Sequence, residues 1–161
     1  RPAQPLPDEL PAKEAGLRES KLRWRLSVAP TYVRDAMTAP TLDRAGLAVI
    51  LVTLVPELET LAPGQVPLLS DIVDMPSHRE LVTAARLRLV DVDRVEHRFH
   101  PHGAVAPETA RRALERLGRL LDVSPPSWCT EADDDCVRLG DPITGGQITE
   151  IAIDMAVRAG T

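Results

Sequence analysis

The clearest structural signal in the sequence is the stretch Asp141-Pro-Ile-Thr-Gly-Gly-Gln-Ile-Thr-Glu-Ile-Ala-Ile-Asp-Met-Ala-Val-Arg-Ala-Gly160, and the rest of the chain is interpreted outward from it. Its apolar residues recur at the i, i+3, i+4 and i+7 spacing of one buried helix face, namely Ile148, Ile151, Ala152 and Met155. The paired glycines Gly145 and Gly146 allow the backbone at the helix start to approach a neighbour, or to direct free N–H groups at an anion. This stretch therefore predicts a helix at the carboxyl end of the fold.

Helices are predicted at three further places upstream. Pro107 to Leu121 has a proline suited to a first turn and a continuous apolar stripe on one side. The segment from Ser77 begins with Ser77-His-Arg-Glu80, which fits a capping box. Thr31 to Ala39, between two prolines, is long enough for one or two helical turns.

Other segments have the pattern of β-strands. Lys21 to Val28 alternates apolar and polar residues, which is typical of a strand with one buried and one solvated face. Leu47 to Val55 is a continuous, partly β-branched apolar run, as expected of a strand buried on both faces. Leu68 to Met75 and Arg86 to His100 supply two weaker strand patterns. The predicted fold class is therefore α+β, with a small antiparallel or mixed sheet packed by three to four helices and a helical C-terminal part.

Composition predicts a simple domain organisation. Residues 1–18 begin with a proline-rich stretch that predicts a linker or tail, and this start suggests a further segment upstream. Residues 19–161 are then expected to form a single α+β domain, since a chain of 161 residues is long enough to bury one core.

Charge and hydropathy argue against several classes of partner. The net charge is -5, and aromatic residues make up only 2% of the chain, so neither nucleic acid nor a membrane surface is an expected partner. No apolar run approaches the ~20 residues that a membrane-spanning helix needs. The two cysteines slightly favour a cytoplasmic location as reduced thiols, with export as the alternative if Cys129 and Cys136 form a disulfide.

Histidines and cysteines supply one candidate site. Zinc is usually bound by four such side chains, and five of the six in this chain are candidates, namely His97, His100, His102, Cys129 and Cys136. Their spacing matches no standard zinc finger or ribbon. The residue types nevertheless suit zinc, and a zinc-binding domain is therefore an alternative function. No other cofactor is expected.

No common catalytic signature occurs in the sequence. It lacks the Gly-x-Ser-x-Gly, His-Glu-x-x-His and Ser-x-x-Lys patterns of the best-known hydrolases, and neither lysine stands in a P-loop. Arg23 and Arg25 lie on the solvated face of the first predicted strand, where they are able to meet an acidic partner. The first prediction is therefore a non-enzymatic protein-interaction module, either adaptor or structural, of a larger chain or assembly, with a protein as its partner.

A resemblance to one family suggests a second alternative. Asp134-Asp-Cys-Val-Arg-Leu139 followed by Ile143-Thr-Gly-Gly-Gln-Ile-Thr-Glu-Ile-Ala-Ile-Asp-Met-Ala156 resembles the helical lid of AAA+ ATPases. In that family a short acidic helix precedes a glycine-started helix that packs over the nucleotide. The resemblance implies that Thr144, Gly145 and Gly146 face a nucleotide, in a degenerate AAA+-like fragment without the catalytic motifs.

Overall fold

Helices joined by irregular loops make up the described part of the chain, which in the computed structural model is residues 9–61, 65–129 and 135–161. The helices are α1 (Glu9–Ser27), α2 (Thr31–Thr38), α3 (Arg44–Leu54), α4 (Leu58–Leu61), α5 (His78–Arg86), α6 (Pro107–Leu121) and α7 (Gly145–Ala159). Backbone pairing of the β type in these residues is limited to the isolated bridges Asp43–Ala104, Asp93–Arg98 and Trp128–Val137. The predicted α+β class with a small sheet is therefore wrong, because the described residues contain no sheet.

Helix α3 lies at the centre of the fold. Every residue from Ala45 to Val52 is buried, and α1, α2, α5 and α7 all contact this helix. The Asp43 carboxylate accepts a hydrogen bond from the Gly46 N–H at 2.6 Å and caps its first turn. The strand predicted for Leu47 to Val55 is thus a helix, since a short run that is apolar on all sides suits a buried helix as well as a buried strand.

Helix α1 replaces the strand predicted for Lys21 to Val28. Leu22 and Leu26 are each 1% exposed, whereas Trp24 and Val28 are 67% and 61% exposed. In a helix, each of these pairs is spaced i, i+4, and the two pairs lie on opposite faces. Two apolar pairs on opposite faces of a helix give the same alternation along the sequence as a strand, so the prediction failed here. Helix α1 begins at Glu9 and so includes residues 9–18 of the predicted linker, while residues 1–8 lie outside the described residues.

Two other predicted strands are mostly loops, at Leu68 to Met75 and at Arg86 to His100. The side chain of Asp71 in the first loop binds the backbone of the second. The Asp71 carboxylate accepts hydrogen bonds from the N–H groups of Phe99 at 2.8 Å and His100 at 2.7 Å. The Ser70 N–H donates to the His97 carbonyl at 2.9 Å. A carboxylate thus satisfies backbone N–H groups that a neighbouring strand would satisfy in a sheet.

The predicted helices are confirmed at α2, α5, α6 and α7. Helix α6 has the predicted bounds, and its apolar stripe is buried as far as Leu117, with Leu120 and Leu121 half-buried. The capping box predicted for α5 is wrong, because the Ser77 side chain makes no capping hydrogen bond. Glu80 instead accepts a hydrogen bond from the Tyr32 hydroxyl at 3.0 Å and links α5 to α2.

Gly145 sets how closely α7 packs on α2. Its N–H donates to the Ala39 carbonyl at 2.9 Å, and a Cβ atom added to it would lie 1.8 Å from the Ala36 carbonyl oxygen. Any side chain at this position would therefore push the two helices apart. A Cβ at Gly146 would have only the Met37 carbonyl oxygen nearby, at 3.8 Å.

We expect Gly145→Ala to lower the free energy of unfolding by about 1–3 kcal/mol or more, since the added methyl group overpacks the contact between α7 and α2. Gly146→Ala is the matched control, because its methyl group has room and alanine favours the helix. Urea unfolding of both variants measures the difference. Equal stabilities of the two variants would contradict this role of Gly145.

Asp71 makes a second prediction possible. Burial alone would raise its pKa, but the hydrogen bonds from Phe99 and His100 outweigh burial and hold the pKa below the ordinary 3.8. We expect Asp71→Asn to lose about 1.5–3 kcal/mol at neutral pH, since the amide has only one acceptor oxygen for two donors.

The pH dependence of this loss follows from the depressed pKa. The contribution of Asp71 is present above the unfolded pKa and is lost as the pH falls through the lower folded pKa. The stability difference between wild type and Asp71→Asn should therefore shrink in acid, as measured by urea unfolding across pH. Asp74→Asn, an exposed carboxylate in the same loop, should change little at any pH.

Candidate functional site

A cleft of about 1090 Å³ opens between α6 and two loops. One wall is the outward face of α6, another is the segment from the end of α5 to His97, and the third is residues 65–69 with Leu61. Six arginines line it, namely Arg86, Arg88, Arg94, Arg112, Arg116 and Arg119. We call this feature the arginine cleft.

Helix α6 contributes a row of three guanidinium groups. Arg112, Arg116 and Arg119 are spaced i, i+4 and i+7, so they share one face and span about 10 Å along the axis. Arg116 Nε donates to the Leu87 carbonyl at 3.0 Å, and Arg112 lies 3.9 Å from the Asp91 carboxylate. These contacts hold α6 against the loop that forms the second wall.

Arg88 occupies an unusual backbone position at the end of α5. Its φ is 57°, in the left-handed region. The Leu89 N–H donates to the Ala84 carbonyl at 2.9 Å, and the Arg88 N–H donates to the Ala85 carbonyl at 3.1 Å. This is the Schellman pattern of helix termination, in which glycine is the usual residue at the left-handed position. The chain instead places an exposed arginine there, at the wall of the cleft.

The cleft is positively charged although the chain is acidic overall. Three carboxylates line it with the six arginines, those of Asp91, Asp93 and Glu115. Glu115 also accepts a hydrogen bond from the Trp128 indole N–H at 3.2 Å. Within the described ranges, the guanidinium groups of Arg88, Arg94 and Arg119 make no hydrogen bond or ion pair with another residue. Their charges are therefore available to a ligand on this side of the structure.

Exposed apolar side chains border the charged region. Leu61, Val66 and Leu68 are 49%, 61% and 79% exposed, and all three line the cleft. None of the described residues that line it is Phe, Tyr or Trp. The cleft therefore combines cationic and aliphatic contacts without an aromatic surface for stacking bases.

The arginines predicted as an interaction surface, Arg23 and Arg25, take part in contacts between helices. Arg23 donates to both carboxylate oxygens of Glu150 at 2.9 and 2.8 Å and thereby joins α1 to α7. The hydrogen bonds that Arg23 donates to Glu150, followed by the one to Glu19, hold the pKa of Arg23 above its usual range. Arg25 donates to the Leu54 carbonyl at 3.3 Å. Neither residue lines the arginine cleft.

The glycine-started helix α7 faces another part of the protein. The Gly145 N–H donates its hydrogen bond to the Ala39 carbonyl and is not free to bind an anion. The Thr144 hydroxyl accepts a hydrogen bond from the Gln147 N–H at 3.2 Å. Gly146 follows in the first turn. Residues 135–139, which the AAA+ resemblance aligns with an acidic helix, are not helical. The resemblance stays a prediction, because no finding tests it.

The five predicted zinc ligands do not form one cluster. Cys129 and Cys136 are joined by a disulfide, with 4.9 Å between their Cα atoms, so neither sulfur offers a thiolate to a metal in this form. His97 lines the arginine cleft, and His102 Nδ1 lies 3.9 Å from the Asp43 carboxylate.

His100 instead lies beside two carboxylates. Potential ligand atoms of Asp93, Glu96 and His100 are all within 4.8 Å of one another, and the latter two residues are exposed. The Asp93 carboxylate already accepts hydrogen bonds from the N–H groups of Glu96 and Val95, and the one from Glu96 contributes most to lowering its pKa. Zinc binding stays a prediction.

Two further findings concern the whole chain. Among the described residues, no helix combines the length and the apolar character that crossing a lipid bilayer requires, in agreement with the sequence. Comparisons with protein-family models, with curated proteins and with solved structures give no match.

Proposed function

We propose that this protein is a non-enzymatic interaction module whose arginine cleft binds an acidic segment of a partner protein. The observation that carries the proposal is Arg88, an arginine in a left-handed position that normally favours glycine. A left-handed backbone costs a non-glycine residue roughly 1–2 kcal/mol. Retention of such strain is typical of functional sites, where the side chain is needed for binding.

Carboxylates are the ligand chemistry that the cleft suits best. The planar guanidinium group forms two parallel hydrogen bonds to a carboxylate, and charge-assisted bonds of this kind are stronger than neutral ones. Arg112 and Arg116 are about 6 Å apart along α6, close to the spacing of alternate side chains in an extended peptide. An extended segment with acidic residues at every second position therefore matches this row.

A protein segment is favoured over nucleic acid by the rest of the lining. The exposed aliphatic residues Val66 and Leu68 suit the apolar side chains that alternate with the acidic ones. Single-stranded nucleic acids are usually held by aromatic stacking, which the described cleft residues do not offer.

We expect a fluorescein-labelled peptide of alternating Glu and Leu to bind the protein, and binding to weaken as salt screens the charges. Fluorescence polarisation of the full chain measures the affinity. Arg119→Glu should weaken binding about tenfold or more, because it places a negative charge in the cleft that repels the acidic peptide. A peptide of alternating Lys and Leu should not bind.

The matched control is Arg34→Glu, an exposed residue of α2 that does not line the cleft. It changes the net charge by the same amount as Arg119→Glu. If both variants weaken binding equally, the peptide is attracted by overall charge and the proposed site is wrong. Absence of binding to wild type at low salt would also refute the proposal.

Arg88→Gly separates stability from binding. Glycine relieves the left-handed strain, so we expect the melting temperature to rise by about 2–4 °C while peptide affinity falls. Asp122→Gly is the control, since Asp122 has a φ of 55° at the end of α6 and does not line the cleft. It should raise or preserve the melting temperature and leave affinity unchanged. Undiminished peptide binding by Arg88→Gly would contradict the role given to Arg88.

A further inference from the structure

Helix α1 has a second apolar face that no other described element covers. Leu10, Leu17, Trp24 and Val28, the last directly after the end of α1, are 50%, 58%, 67% and 61% exposed. At 100° per residue, these four side chains fall within about 40° of one another around the helix axis. They lie opposite Leu26, which faces the core. They form a stripe about 27 Å long, which we call the α1 stripe.

We propose that the α1 stripe pairs with the α1 stripe of a second copy of this chain, in antiparallel orientation about a two-fold axis near Leu17. The spacing of the stripe is self-complementary, because Leu10 is seven residues before Leu17 and Trp24 is seven residues after it. Antiparallel pairing therefore places Leu17 against its copy and Leu10 against Trp24 of the other chain. A closed two-fold contact of this kind uses one patch on both subunits.

Charges beside the stripe are complementary in the antiparallel orientation. Glu14 and Lys21 lie on the same side of it, three residues before Leu17 and four after. In the antiparallel pair each Glu14 meets Lys21 of the other copy, whereas in a parallel pair this side of the stripe would lie on opposite sides of the contact in the two copies, and Glu14 would not meet Lys21. Lys21 has no ion pair among the described residues, and Glu14 has only an exposed contact with Arg18 at 3.6 Å. Both charges are therefore accessible to a second copy.

The apolar content of the stripe supplies the reason to associate. A large apolar residue exposed singly is normal, but a contiguous row that includes a tryptophan is typical of an interaction site. Tryptophan is also among the residues that contribute most to interfaces. This inference does not depend on the arginine cleft, because none of the four stripe residues lines it.

Sedimentation equilibrium of the full chain tests the pairing. We expect wild type to show a dimer that dissociates on dilution, and Leu17→Glu to be monomeric, because it places two carboxylates together at the two-fold axis. Val95→Glu is the control, since Val95 is 90% exposed in a loop away from α1 and should leave the dimer intact. Circular dichroism of each variant establishes that it retains its helices.

A charge exchange tests the orientation. Glu14→Lys and Lys21→Glu should each raise the dissociation constant about tenfold or more, and the double variant should restore it. A wild-type chain that stays monomeric up to its solubility limit would overturn the proposal, as would a dimer that Leu17→Glu leaves intact. If the double variant dimerises no more tightly than the single variants do, the antiparallel arrangement is wrong.

Discussion

The complete burial of α3 is the constraint on which the rest of the structure depends. A helix that is apolar on every side has no face to present to water, so its neighbours have to surround it. Helices α1, α2, α5 and α7 do so. The approach of α7 to α2 in this shell is close enough that Gly145 has no space for a side chain. The first of the paired glycines at the start of α7 is therefore explained by close packing of α7 against α2.

The arginine cleft lies outside this shell and is held together differently. Its loop wall has little regular structure, and its backbone is fixed by side chains from three directions. Asp71 binds two consecutive N–H groups, Arg116 binds the Leu87 carbonyl, and Arg44 at the start of α3 donates to the carbonyls of Phe99 and Asp91. The cleft is thus connected to the core by charged groups hydrogen-bonded to the backbone, which fix a loop more strongly than neutral ones do.

Sequence patterns identified the helices that have one apolar side. Helices α6 and α7 are examples, because a single stripe repeating every 3.6 residues has no other good explanation. The patterns failed where a helix has more than one apolar side. Helix α3 is apolar all round, and α1 carries one apolar stripe on the core and another on the surface, which together give the alternation of a strand. These two helices are the segments where the sequence predicted the two clearest strands, so they account for most of the wrong α+β prediction.

The candidate site was less predictable than the helices, for a reason specific to its residues. Arg112, Arg116 and Arg119 are indistinguishable from ordinary solvated charges on an amphipathic helix until the loop carrying Arg88 and Arg94 is placed beside them. Arg88 gives no sequence signal either, since only the observed backbone angle shows that it stands where glycine is favoured. A composition that is acidic overall concealed a local positive surface, because net charge is a sum over all faces while a ligand meets only one.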